Sequence, residues 1–125
     1  MVPNCASDAT SNVYVSGRSY NPSVGVPPPP PQADFETVKY DSNGTVLWVA
    51  RRDGFGSEDS QLDIAVSPTN DVYVSGYSWN GNNIDLALIK YSSSGVEQWV
   101  QFFDGTGNSS DFGRVLGFDA TGNVL

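Results

Sequence analysis

Carboxylates, amides and aromatic rings are the side chains through which this chain could do chemistry. With no His and a single Cys, Cys5, in 125 residues, it holds neither a His-based zinc site nor a Ser–His–Asp triad. Glu58, Asp59 and Asp63 stand close in sequence, the residue types that glycoside hydrolysis uses in pairs. No apolar pocket signal separates their pKa values, so solvated loop acids are the simpler reading and no enzymatic activity is expected. Asp104, Thr106, Asn108 and Asp111 place oxygen donors along a Gly-rich loop, as a calcium loop does. Ser109 replaces the sixth-position Gly and Val115 stands where the closing Glu belongs. A plain turn without a cofactor is therefore expected, with calcium at Asp104, Asn108 and Asp111 as the alternative.

A different chemistry is suggested by Tyr77, Trp79, Asn80, Asn82 and Asn83. Aromatic faces stack on sugar rings while neighbouring amides bond hydroxyls, so this stretch is a candidate glycan-binding loop. The competing reading has Tyr20, Tyr77 and Trp79 capping hydrophobic space between structural units. Asn43 and Asn108 each open an Asn-x-Ser/Thr pattern in a predicted exposed turn, which makes glycosylation sterically possible.

Charge narrows the partners. Fourteen acids against six cations give a net charge of −8, which repels phosphate backbones and argues against nucleic acid. Only Arg51 and Arg52 are adjacent among the cations, so no polybasic lipid anchor forms. No run approaches the ~20 apolar residues of a membrane span. The opening residues MVPNCASDAT show no basic segment followed by an apolar core, the pattern of a signal peptide. Cys5 reads as a free thiol.

The elements that must position these groups occur twice. Val13–Gly17 reads VYVSG and recurs at Val72–Gly76, 59 residues on; Lys39-Tyr40, Trp48 and Asp53-Gly54 recur 51 residues on as Lys90-Tyr91, Trp99 and Asp104-Gly105. A period near 51 residues marks a propeller, solenoid or array of units that cannot bury their faces alone. The surplus in the first copy is a Pro-rich stretch, 21–32, whose Pro27–Pro31 run cannot join a central strand. A stiff loop explains it; a ligand for a proline-binding groove is the alternative.

Short Val/Ile/Tyr/Trp-rich runs separated by Gly, Asn, Ser and Pro predict strands and no helix. In the second copy they fall at Leu62–Ser67, Asp71–Ser78, Asp85–Ser92 and Glu97–Phe103, with Pro68-Thr69-Asn70 as a tight turn. In the first copy a degenerate strand near Val2–Ser7 opens the unit, and Asp41-Ser42-Asn43-Gly44 connects its last two strands, Asn43-Gly44 being a turn signal because both residues accept positive φ. Leu86–Ile89 and Val46–Ala50 are apolar on both strand faces, so their sheets need cover on both sides. An all-β chain of propeller blades follows, each with four antiparallel strands. The divisions are 1–59 for the first blade, 60–110 for the second and 111–125 for the start of a third, where Asp119–Val124 echoes Asp8–Val13. Tyr14, Tyr73, Trp48 and Trp99 are the expected core anchors. Two blades cannot close a propeller of 4 to 8. Further repeats in a longer chain, or self-association into a ring or head-to-tail filament by strand complementation, would supply the rest.

The order Asn70–Gly76, Asp85–Tyr91, Ser94-Gly95 and Trp99–Gly105 resembles the bacterial SBBP β-propeller repeat. The resemblance spans about residues 8 to 125. It implies a propeller in secreted or surface-exposed bacterial proteins, serving as a scaffold or adhesion-like module, and brings no shared catalytic residues. The expected function is thus a non-enzymatic extracellular module for scaffolding, self-assembly or protein interaction. The alternative is a lectin-like propeller.

Overall fold

A computed structural model describes residues 4–20, 33–52, 60–79, 82–103 and 117–123. Eight strands fill most of it: β1 (Asn4–Ser7), β2 (Val13–Tyr20), β3 (Ala33–Tyr40), β4 (Val46–Arg52), β5 (Ser60–Val66), β6 (Val72–Trp79), β7 (Ile84–Tyr91) and β8 (Glu97–Phe103). They form two four-stranded antiparallel sheets, ordered β1-β2-β3-β4 and β5-β6-β7-β8. The described residues contain no helix, and hence none long and apolar enough to cross a membrane. The chain is all-β, as its β-branched and aromatic runs predict.

Both sheets carry one register. Tyr14 faces Lys39, which faces Trp48; Tyr73 faces Lys90, which faces Trp99. The 8-residue difference between the two offsets, 59 and 51, thus falls in the β2–β3 connection and leaves the ladders identical. In the second sheet β6 and β7 run one residue further toward each other than the sequence suggests, because Trp79 pairs with Ile84.

The turns are set by short polar side chains. Between β1 and β2, Asp8 Oδ1 accepts from Thr10 N at 2.9 Å and Asn12 N at 3.1 Å, and Ser11 takes φ 65°. Asp119 treats Thr121 N and Asn123 N the same way, each at 2.9 Å. In the β5–β6 turn Ser67 stands in for the Asp: its Oγ accepts from Asp71 N at 3.1 Å, with Asn70 at φ 64°. These are Asx and ST turns, in which a side chain replaces a backbone acceptor.

The β3–β4 turn lies where its residues predict. Gly44 alone has positive φ, 86°; Asn43 does not. Asp41 closes a longer loop instead, accepting from Asn43 N at 2.8 Å and Thr45 N at 2.9 Å, and the ladder shifts register at Lys39/Tyr40. One left-handed Gly followed by a bulge is the usual alternative to a two-residue turn. The β7–β8 turn repeats it with Gly95 at φ 85°.

The sheets pack face to face. From the first sheet the covered face includes Tyr14, Phe35, Ala50 and half-buried Trp48; from the second it includes Val72, Val74, Ala87, Ile89 and Tyr91. These sit on opposite faces of the repeat: Lys39 and Lys90 are equivalent, yet Lys39 lies with the covered set of its sheet and Lys90 lies on the reverse of Ile89 and Tyr91. Each sheet therefore keeps a second apolar face that the other does not cover. On the first it carries Val46 and Val49, 51% and 56% exposed; on the second it carries half-buried Leu86 and Leu88 and Phe103, 61% exposed.

Candidate functional site

In each unit the three anchor side chains stand side by side on one face, as the pairing of β2, β3 and β4 requires. Tyr14 meets Trp48 edge-on at 6.0 Å and 61°, and Tyr73 meets Trp99 at 6.0 Å and 64°. Lys39 Nζ lies 5.0 Å from the Tyr14 ring centre and Lys90 Nζ 5.5 Å from that of Tyr73. Such aromatic pairs contribute about 1 kcal/mol each and the cation–ring contacts up to ~1.

The first ladder docks on the second sheet through the β7–β8 turn. Trp48 Nε1 donates to Ser93 O at 3.0 Å, and Lys39 Nζ approaches the same carbonyl at 3.4 Å. The indole lies flat over Gly95: a Cβ there would stand 2.7 Å from Trp48 Cδ2 and 2.9 Å from Cγ. Tyr91 flanks it at 6.3 Å, and Arg52 pairs with Glu97 at the rim. Burial of Tyr91, with the Glu97 charge, pushes its hydroxyl up to about 12. Among the described residues that hydroxyl has no hydrogen-bond partner.

The second ladder has no such seat among the described residues. Lys90 turns to Asp71 at 3.6 Å, and Tyr73 packs on Phe118 at 5.2 Å. Space above Gly44, the counterpart of Gly95, is empty within 4 Å. Among the described residues the Trp-on-Gly contact is thus made once, by Trp48 on the Gly95 turn.

The hairpin acids are electrostatically settled. Burial raises Asp8, but the hydrogen bonds from Asn12, Thr10 and Tyr14 outweigh it and hold the carboxyl well below the usual range. Burial and then Asp8 itself push Tyr14 up, its hydroxyl donating to Asp8 Oδ2 at 2.8 Å. Hydrogen bonds from Asn123 and Thr121 depress Asp119, and those from Thr45 and Asn43 depress Asp41. The three hairpins line a cleft of about 410 Å³ bounded by Asp8, Ser67, Asn70, Phe118 and Asp119.

The loop residues singled out for sugar binding lie at the β6–β7 end of the second sheet. Tyr77 is half-buried in β6, Trp79 ends that strand, Asn82 is exposed and Asn83 is buried. Asn43 is exposed on the β3–β4 turn, and Asp63, half-buried, accepts from Ile64 N at 2.9 Å. Asn80, Glu58, Asp59, Asp104, Asn108, Asp111 and the Pro27–Pro31 run lie outside the described residues. Sequence reasoning missed Lys39, Lys90, Ser93 and Gly95 as partners of the anchors. The shared spacing of Lys, Tyr and Trp in both copies was the signal for the two lysines. No protein-family model and no curated protein matches this chain.

Proposed function

We propose that the chain is a non-enzymatic β-propeller repeat module that acts outside the cell as a structural scaffold and completes itself by self-association. The observation that carries this is the polarity of the sheet contact. The two sheets meet through different faces, so each unit has a donor face and an acceptor face, and among the described residues one of each is not matched by the other sheet. A heterologous contact of this kind either closes into a ring or runs on as a filament. Antiparallel four-stranded sheets stacked through apolar faces are the building plan of propellers, and the SBBP-like order of anchors points the same way. Phe118 packs on Tyr73 and Asp119–Asn123 repeats the Asp8–Asn12 sequence pattern, both of which support strand complementation. Negative-stain microscopy tests the reading: rings with a whole number of copies or filaments support it, and isolated particles the size of one chain reject it.

A further inference from the structure

We infer that the face of the β5–β8 sheet turned away from the β1–β4 sheet binds the corresponding free-side face of the β1–β4 sheet of a second copy of this chain, with Trp99 seated on Gly44. This rests on the self-association reading and assigns it an interface. Shifting the internal contact by one repeat gives each partner. Trp48 on Gly95 becomes Trp99 on Gly44, the Ser93 carbonyl becomes that of Ser42, and Tyr91 becomes Tyr40.

Both halves are already in position. The Trp99 ring is fixed on Tyr73 at the distance Trp48 keeps from Tyr14, 6.0 Å in both. The Gly44 turn matches the Gly95 turn in φ, 86° and 85°, and in its closing bond, Asp41 N to Thr45 O at 2.9 Å against Ser92 N to Val96 O at 2.8 Å. Among the described residues no donor reaches the Ser42 carbonyl, and no atom lies within 4 Å above Gly44.

The one pair that changes does so on both sides. Arg52 and Glu97, an ion pair inside the chain, correspond to Phe103 and Val46. Those two are among the most exposed large apolar side chains, at 61% and 51%. An apolar contact between these two faces accounts for both positions turning apolar together. Phe118 packs on Tyr73 of the same face at 5.2 Å, and Asp119–Asn123 repeats the Asp8–Asn12 turn pattern.

The test measures assembly by sedimentation velocity on the full chain, with far-UV circular dichroism as the fold control. Wild type is expected as a multimer of the 13.4 kDa chain. Trp99→Ala, Phe103→Arg and Val46→Glu should each weaken association on the order of tenfold or more while keeping the spectrum. Mixing the Phe103→Arg and Val46→Glu proteins should restore it, because each junction then carries either the apolar pair or an Arg–Glu pair like the internal one. Multimers that none of the three variants weakens would overturn this interface and leave self-association standing. Monomeric wild type would overturn both, and a mixture that stays dissociated would overturn the Phe103–Val46 pairing.

Discussion

Gly44 and Gly95 offer a controlled comparison, because they share a turn and a φ but differ in what lies above them. Placing Ala at either forces a Cβ into left-handed backbone, at about 1 kcal/mol. At Gly44 that is the whole cost, since the space is empty within 4 Å. At Gly95 the new Cβ would meet Trp48 Cδ2, Cγ and Cε3 at 2.7, 2.9 and 3.0 Å. The indole cannot swing aside without losing its 3.0 Å bond to Ser93 O and its contact with Tyr91. Overpacking of this kind costs a further 1–3 kcal/mol or so. Gly95→Ala should therefore destabilise by about 3 kcal/mol and Gly44→Ala by about 1. Urea unfolding in a Trp99→Ala background, where copies are expected to stay apart, reads both. Equal losses would refute the claim that the Trp48 ring seals the joint between the sheets.

Three further outcomes follow from the same contacts. Tyr91→Phe removes a buried hydroxyl that has no partner among the described residues and should stabilise by about 1 kcal/mol. Because Tyr91 rises from 10.0 to about 12 on folding, the neutral ring's contribution is complete below pH 10 and is lost as pH climbs toward 12; the Phe variant should lack that alkaline loss in a pH series of melting temperatures. Asp8, Asp41 and Asp119 are all depressed below 3.8, so the stability they contribute is present above that pH and drains away as pH falls beneath it. Asp8→Asn should flatten the acid limb, and an unchanged acid profile would show that the hairpin caps do not bind the ionised form. Trp48→Ala should cost about 3 kcal/mol by chemical denaturation, the sum of two aromatic contacts and a hydrogen bond, whereas Trp99→Ala in a dissociated chain should cost about 1.

The two four-stranded antiparallel sheets were legible in the sequence because register follows from spacing. Lys39, Trp48 and their copies 51 residues on mark two equivalent ladders. The turn over Asp41–Gly44 lies where its residues predict, but the Asn43-Gly44 dipeptide does not show that the Asp41 side chain would cap it and leave only Gly44 at positive φ. Asn83 sits in an Asn-Gly-Asn-Asn stretch that reads as exposed; pairing of Trp79 with Ile84 carries it inside. The joint at Gly95 was not legible at all. Gly44 and Gly95 occupy equivalent places in the same pattern, and only the placement of one sheet on the other puts an indole over the second. The sequence rule that a strand apolar on both faces needs two covers was informative in another way. Val46 and Val49 are uncovered in one chain, which is where the argument for a second copy begins.

The most direct measurement is the mass of the native particle by light scattering across a concentration series. A module that completes itself by reusing one sheet-to-sheet contact predicts two or more copies of the 13.4 kDa chain, as a fixed ring or a growing polymer. A well-folded, monodisperse particle of 13.4 kDa at every concentration would contradict it.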